Sequence, residues 1–378
     1  MLSNTKPIKI NLSCASGVPS NPRTWSGTTN NFLQELKKKG SLNTDFESKI
    51  NNKLFNFLNN LLGRYYSTIK KRQGIGLLGW PLMRYFKSAS NIYLTRKSKS
   101  SHTLHFGTLD LPFIVKPTSQ THYLYTDGSW NLWSKFDTQN THSDHLISEI
   151  NKLEKKSYEQ VAHIFTTSEY VKQDLINYYK IAPEKLTVVG TGTGIIQPFY
   201  GSKEYNNRKI LFVAKGRFTD KGGDLVLETF KRLVERNPAY QLSIVGQSDY
   251  TNINHPNIHT YGFIPINELQ DLFNTHSLFL MPAINEPWGL VYIEAMLCKM
   301  PIIGLNRNSF PELSGYGKWG VGIENPDPEQ LVEIIENIFG DLDKMEAMGN
   351  EAQKFALKNF LWSLTVEKVL ENILQKQS

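Results

Sequence analysis

Apolar residues fall along this chain in short runs separated by amphipathic stretches, and from about residue 121 the alternation becomes regular. The run "THYLYTD" (121–127) predicts a strand, "SDHLISEINKLEKKSYEQV" (143–161) a helix and "AHIFTTS" (162–168) a strand. "EYVKQDLINYYK" (169–180) then predicts a helix and "KLTVVGTG" (185–192) a strand. After the polar tract "YGSKEYNNR" (200–208), which reads as a linker, a second series starts. It runs through "KILFVAKG" (209–216, strand), "GGDLVLETFKRLVERNP" (222–238, helix), "YQLSIVG" (240–246, strand) and "NIHTYGF" (257–263, strand). "INELQDLFNTH" (266–276) predicts a short helix and "SLFLMPA" (277–283) a strand, with further helices from "PEQLVEIIENIFG" (328–340) onward. Before residue 121 only "IKINLSCA" (8–15) reads clearly, as a first strand and not a signal peptide.

Alternating strands and helices with apolar strand cores predict an α/β protein with parallel sheets covered on both faces. Two series in tandem predict two doubly wound domains, drawn at 1–200 and 201–355, with 356–378 as a terminal helix returning to the first domain. A length of 378 residues fits two cores better than one. Apolar content of 40% and charged content of 20% exclude a disordered chain, and no apolar run is long enough for a membrane helix. Cys14 and Cys298 stand far apart without a partner motif, so neither a disulfide framework nor a zinc site is expected and a cytoplasmic setting suits the chain.

Charge changes the picture in one place. The net charge is +7, yet residues 48–109 carry eleven basic side chains and no acidic one, among them Lys70, Lys71 and Arg72. Interleaved with them are "LFNFLNNLLGRYY" and "GIGLLGWPLMRYF". Such a segment is either a surface for an anionic membrane or partner, giving a peripheral membrane protein, or a solvated helix whose apolar side is core.

Polar chemistry recurs at predicted strand ends in the second series. Gly216-Arg217-Phe218-Thr219-Asp220-Lys221-Gly222-Gly223 offers glycines, a helix start and two cations, which suits a diphosphate. It has neither the P-loop nor the dinucleotide-binding spacing. After "SLFLMPA", the turn Glu286-Pro287-Trp288-Gly289 opens a helix at Leu290 with Glu294 inside it. Carboxylates beside a phosphate site make sense as acceptors of hydrogen bonds from hydroxyls, so a diphosphate between two hydroxylated groups, a nucleotide sugar, is the expected ligand. His142, Asp144, His145 and Glu149 have spacings that suit a metal, but a polar helix start explains them more cheaply and no metal is expected. Trp130 and Trp133 either stack on an acceptor sugar or lie in a core.

The ordered set "GRFTDKGGDLVLETF", "LSIVG", the Glu-x7-Glu pair in "EPWGLVYIEAMLCKMPIIG" and "FPEL", over about residues 209–339, resembles the retaining nucleotide-sugar glycosyltransferases of family 4. The resemblance implies the GT-B fold, two Rossmann-like domains facing across a cleft. It implies metal-independent transfer of a hexosyl unit from a nucleoside-diphosphate sugar, of UDP or GDP type, to a glycan, lipid-linked or small-molecule hydroxyl. No cofactor is implied. Arg217 and Lys221 would grip the diphosphate, Glu286 the sugar and Glu294 the ribose, assisted by the Gly289 and Leu290 amides. Gly216, Pro287 and Trp288 would line the same donor site. In the first domain, "WSGTTNNFLQEL" would bring Gly27 toward the donor phosphate, and Asp127 would orient the donor sugar. Trp288 replaces the family's usual Phe and Lys299 its usual Gly. The competing reading is a non-enzymatic binder of membrane or nucleic acid; a complete donor constellation argues against it, and no nucleic-acid partner is expected.

Overall fold

The computed structural model describes residues 7–47, 100–107, 120–135, 144–246 and 253–375, with the single positions 57, 61, 93 and 95. The chain divides into two compact units, Met1–Gly192 with Trp362–Ser378, and Thr193–Leu361. All eleven basic residues of the 48–109 segment lie outside the described residues.

In the first unit six strands form one parallel sheet: β1 (Ile10–Cys14), β2 (Leu42–Glu47), β3 (His102–Phe106), β4 (Thr121–Thr126), β5 (His163–Thr166) and β6 (Leu186–Val188). Their order is β2-β1-β3-β4-β5-β6. Alternation of side chains across the sheet gives it two cores. Leu12, Leu104, Tyr125 and Phe165 face the helix Thr28–Lys38 and the C-terminal helix Trp362–Gln375, which inserts Val366, Val369 and Ile373. Leu124 and Ile164 face the other way, toward Tyr158, Val171 and Leu175 of the helices Asp144–Gln160 and Glu169–Asn177.

The second unit repeats the plan with β7 (Lys209–Val213), β8 (Gln241–Val245), β9 (Ile258–Tyr261), β10 (Leu278–Leu280), β11 (Ile302–Leu305) and β12 (Gly320–Ile323), again all parallel. The order is β12-β11-β10-β7-β8-β9, so successive strands build outward from β7 in one direction and from β10 in the other. This is the Rossmann order, and ligands in such sheets sit at the carboxyl ends of the two strands where the direction reverses. Here those strands are β7 and β10.

The structure draws the boundaries differently from the sequence reading. Residues 193–208 are packed onto the second unit instead of linking freely. Ile196 is in its core, and the Phe199 amide donates to the Leu297 carbonyl at 3.1 Å. Lys203, in the polar tract, is buried with its ammonium on the carbonyls of Phe273 (2.8 Å), Asn274 (3.1 Å) and His276 (2.7 Å). These close the carboxyl end of the helix Ile266–Thr275. At the far boundary, Leu342–Asn359 remains with the second unit, so the crossing falls at Leu361–Trp362 and not at 355. Trp362 then lies against Gly192, where an added Cβ would overlap the indole.

Candidate active site at the reversal point of the second sheet

The loop after β7 turns through two left-handed residues, Lys215 (φ 51°) and Gly216 (φ 75°), and a third, Gly222 (φ 81°), precedes the helix Gly223–Arg236. Gly222 is there because of contact as well as conformation. An added Cβ would come 2.8 Å from the Pro282 carbonyl carbon, so this helix start is pressed onto the end of β10. The loop after β10 joins it: the Ile284 and Asn285 amides donate to the Asp220 carbonyl at 2.9 and 3.3 Å. That second loop also ends on a left-handed glycine, Gly289 (φ 80°), which opens the helix Leu290–Leu297.

Neither helix start has a side-chain cap, and the same holds for Thr28–Lys38, which begins after left-handed Gly27 (φ 86°). Four other helices are capped by Ser129, Ser168, Asp327 and Asp341, while Ile266–Thr275 and Phe310–Leu313 also start without a side-chain cap. First-turn amides have no partner within their own helix, and a glycine start brings no side chain to satisfy them. An anion can take that place.

Three of the residues expected at the site meet here. Lys221 Nζ and Arg217 Nη1 stand 3.5 and 3.6 Å from the same Glu286 oxygen, Oε2. Those separations pair the charges but are long for hydrogen bonds, and Oε2 is buried without a hydrogen-bond partner. Arg217 is held by two further contacts, Nη2 to the Asn285 carbonyl (2.9 Å) and Nε to Asp220 Oδ2 (3.2 Å). The two cations differ in setting: the Arg217 side chain is 43% exposed and that of Lys221 only 6%. Burial pushes the Lys221 ammonium below its ordinary value, while Glu286 acts against that shift.

Glu294 is placed otherwise. Its carboxylate is buried, and Oε1 accepts the Ile195 amide at 2.8 Å. An added Cβ on Gly194 would lie 2.7 Å from the carboxyl carbon. Glu294 therefore ties the segment entering the second unit to the helix that opens at the site. Burial raises its carboxyl above the usual range, opposed by the Ile195 amide and by Lys215 and Lys221. Trp288 is also buried, edge-on to Phe360 at 5.9 Å, and anchors the turn whose Pro287 carbonyl accepts the Ser309 hydroxyl at 2.6 Å. Lys215, which the sequence reading did not single out, adds a third cation; its position one residue before Gly216-Arg217 was the available signal.

In the first unit, Gly27 and Asp127 lie beyond the carboxyl ends of β1 and β4. The turn after Asp127 is fixed from beneath by two buried carboxylates. Asp174 accepts from the Ser129 hydroxyl (2.6 Å) and the Asn131 amide side chain (2.5 Å), and Glu154 from the Trp130 backbone amide (2.8 Å). Trp130 and Trp133 stack on one another at 4.6 Å, with Trp133 39% exposed. Among the described residues no group of His, Cys, Asp or Glu is gathered as metal ligands would be, and His142 lies outside them. Among the same residues no helix is long and apolar enough to cross a membrane.

Residues 199–355 match the family model described as "Glycosyl transferases group 1". Spore coat protein SA of Bacillus subtilis (strain 168) is 25% identical over 249 residues, covering 57% of this chain and 64% of that protein. D-inositol 3-phosphate glycosyltransferase of Rhodococcus opacus (strain B4) is 24% identical over 231 residues, covering 55% of this chain and 51% of that protein. The chain thus spans less than two thirds of the length of these curated relatives. The structure of Anabaena Alr3699/HepE in complex with UDP superposes with a TM-score of 0.68 at 15% identity, covering 97% of this chain and 100% of that one.

Proposed function

With residues 199–355 forming a glycosyl transferases group 1 domain in a chain of GT-B fold, we propose that the protein transfers a hexosyl unit from a nucleoside-diphosphate sugar to an acceptor hydroxyl. The observation that carries this reading is the meeting of Arg217, Lys221 and two glycine-opened helix starts around Glu286 where the strand order reverses. UDP is the first nucleotide to try, since the Anabaena neighbour holds it; GDP is the second.

In this reading the diphosphate lies against the starts of Gly223–Arg236 and Leu290–Leu297, with Arg217 and Lys221 on its oxygens. As the sugar–phosphate bond breaks, negative charge grows on the leaving diphosphate, and fixed cations and amides stabilise it without reorganising. That supports a reaction without a metal ion. Glu286 accepts hydrogen bonds from sugar hydroxyls, and Glu294 shapes the helix start while offering its remaining oxygen to the ribose. Retention follows if the leaving phosphate takes the acceptor's proton on the face it departs from. In the first unit, Gly27 is assigned to the donor phosphate and Asp127 to orienting the donor sugar, with exposed Trp133 left for the acceptor. The basic, aromatic-rich composition of residues 48–109 supports binding to an anionic membrane surface; reversing Lys70, Lys71 and Arg72 should then reduce sedimentation with anionic liposomes or acceptor turnover.

The test is thermal unfolding with UDP, GDP and ADP, with and without magnesium. One nucleotide at about one hundred times its dissociation constant should stabilise the protein by roughly 2.7 kcal/mol. Magnesium should add nothing, and the anomeric configuration of the product, read by NMR, should match that of the donor. No shift with any nucleotide would refute the donor site.

A further inference from the structure

Glu286 raises a question that sugar binding alone does not answer. Its Oε2 is buried, makes no hydrogen bond of ordinary geometry, and stands 3.5 Å from Lys221 Nζ and 3.6 Å from Arg217 Nη1. A buried carboxylate oxygen without a hydrogen bond is costly unless charge compensates it, and a buried ammonium is costly for the same reason. Lys221 is the more exposed to this problem chemically, because an ammonium can shed its proton when desolvated whereas the Arg217 guanidinium cannot. We propose that Glu286 is the counter-ion of Lys221 before donor binding, holding that ammonium protonated and in place until a diphosphate takes over the role. The inference rests on the donor reading given above and deepens it. Glu286 then has a positioning role that precedes any contact with the sugar.

The neighbours of Lys221 support this assignment. Arg217 and Lys215 are both cations and both disfavour its charge, as burial does. Two carboxylates bear on it from the helix and turn after β10. Glu294 is one, but its Oε1 is committed to the Ile195 amide and its own charge is disfavoured by burial. Tyr292, next to Glu286, is fully buried, held neutral, and bonded through its hydroxyl to the Met281 carbonyl. Glu286 is therefore the anion nearest Lys221 and the one in position to hold its charge. When a diphosphate arrives, its oxygens replace the carboxylate as partners of both cations, and Glu286 is released to accept hydroxyls.

The test separates this role from sugar binding by using a ligand with no sugar donor group. UDP is titrated by calorimetry into the wild type, Glu286→Gln, and Glu286→Gln with Lys221→Arg, from pH 7 to 9, above its last phosphate ionisation at about 6. The wild type should bind with nearly constant affinity. Glu286→Gln should match it near pH 7 and then weaken, by up to about tenfold per pH unit once Lys221 loses its proton. Adding Lys221→Arg should restore a flat profile, because the guanidinium stays charged. If Glu286→Gln alone is flat across the range, the inference is overturned while the donor reading stands. If the wild type does not bind UDP, both fall together. Circular dichroism at each pH confirms that all three proteins are folded, and Glu286→Asp, which keeps the charge, should stay flat.

Discussion

Gly222 offers the sharpest test of how the site is built, because two separable costs meet in one residue. Its φ of 81° lies in the left-handed region, and an added Cβ would come 2.8 Å from the Pro282 carbonyl carbon and closer still to its oxygen. Gly222→Ala therefore incurs about 1 kcal/mol for the backbone conformation. The overlap is with main chain, which no rotamer change relieves, and overpacking of this kind costs roughly 1–3 kcal/mol more. Gly216 is the natural comparator. Its φ of 75° carries the same conformational cost, but the nearest atom to its added Cβ is Phe263 Cζ at an ordinary 3.7 Å. At about 2–4 °C per kcal/mol for a domain of this size, Gly216→Ala should lower the midpoint by roughly 2–4 °C and Gly222→Ala by roughly 5–15 °C. Differential scanning fluorimetry of both variants settles it. Because the overlap separates the helix start from the end of β10, Gly222→Ala should also weaken UDP binding by about tenfold at a temperature where it is folded. Equal destabilisation by the two substitutions would refute the claim that the helix start is pressed onto β10.

Three further outcomes are expected. Arg217→Ala removes one charged hydrogen-bonding group from a half-exposed side chain, so UDP affinity should fall roughly 10- to 100-fold with little change in unfolding midpoint; a parallel loss of stability would point to a structural role instead. Glu294→Ala leaves the Ile195 amide without its partner and should cost about 1–3 kcal/mol in urea unfolding. Its raised carboxyl means that the native state holds the proton more tightly than the unfolded one, so wild-type stability should decline as pH rises above the usual carboxylate range, and Glu294→Gln should lessen that decline. Burial brings Lys203 down to about 7 against 10.5 for an ordinary lysine. The native state therefore releases this proton first, its penalty is fully present below about 7, and stability should rise with pH between 7 and 10.5. Lys203→Met should flatten the urea midpoint over that interval, and an unchanged slope would sink the assignment.

The second unit was legible in the sequence because its strands are short apolar runs bounded by glycine and its helices keep a single apolar face. "PEQLVEIIENIFG" became Pro328–Gly340 without adjustment, whereas "SLFLMPA" yielded only Leu278–Leu280 as strand. β2 and β3 escaped because "LNTDFE" is mostly polar and "HTLHF" carries histidines on a buried strand, so neither shows a clean apolar run. At the site, residue types and order pointed to an anion-binding loop beside a carboxylate. What could not be read were relations between distant positions: Glu294 bonded to Ile195, Trp288 on Phe360, and Lys203 on the carbonyls of Phe273 to His276. Hydrophobic periodicity reports which face of an element is buried, not what it is buried against, and a lysine in a polar tract has no local signature of burial.

The place of Trp362–Gln375 in the first unit has a consequence for how the chain matures on the ribosome. Val366, Val369 and Ile373 complete the core that contains Leu12 and Phe32, so the first unit stays open along one wall until Trp362–Gln375 has been made. Thr193–Leu361, by contrast, is contiguous and can close as soon as it clears the exit tunnel. Order of synthesis and order of completion are therefore reversed between the two units: the second can close before the first. During that interval the unfinished wall exposes aliphatic surface, and a chaperone that shields such surface is needed most until Trp362–Gln375 has emerged.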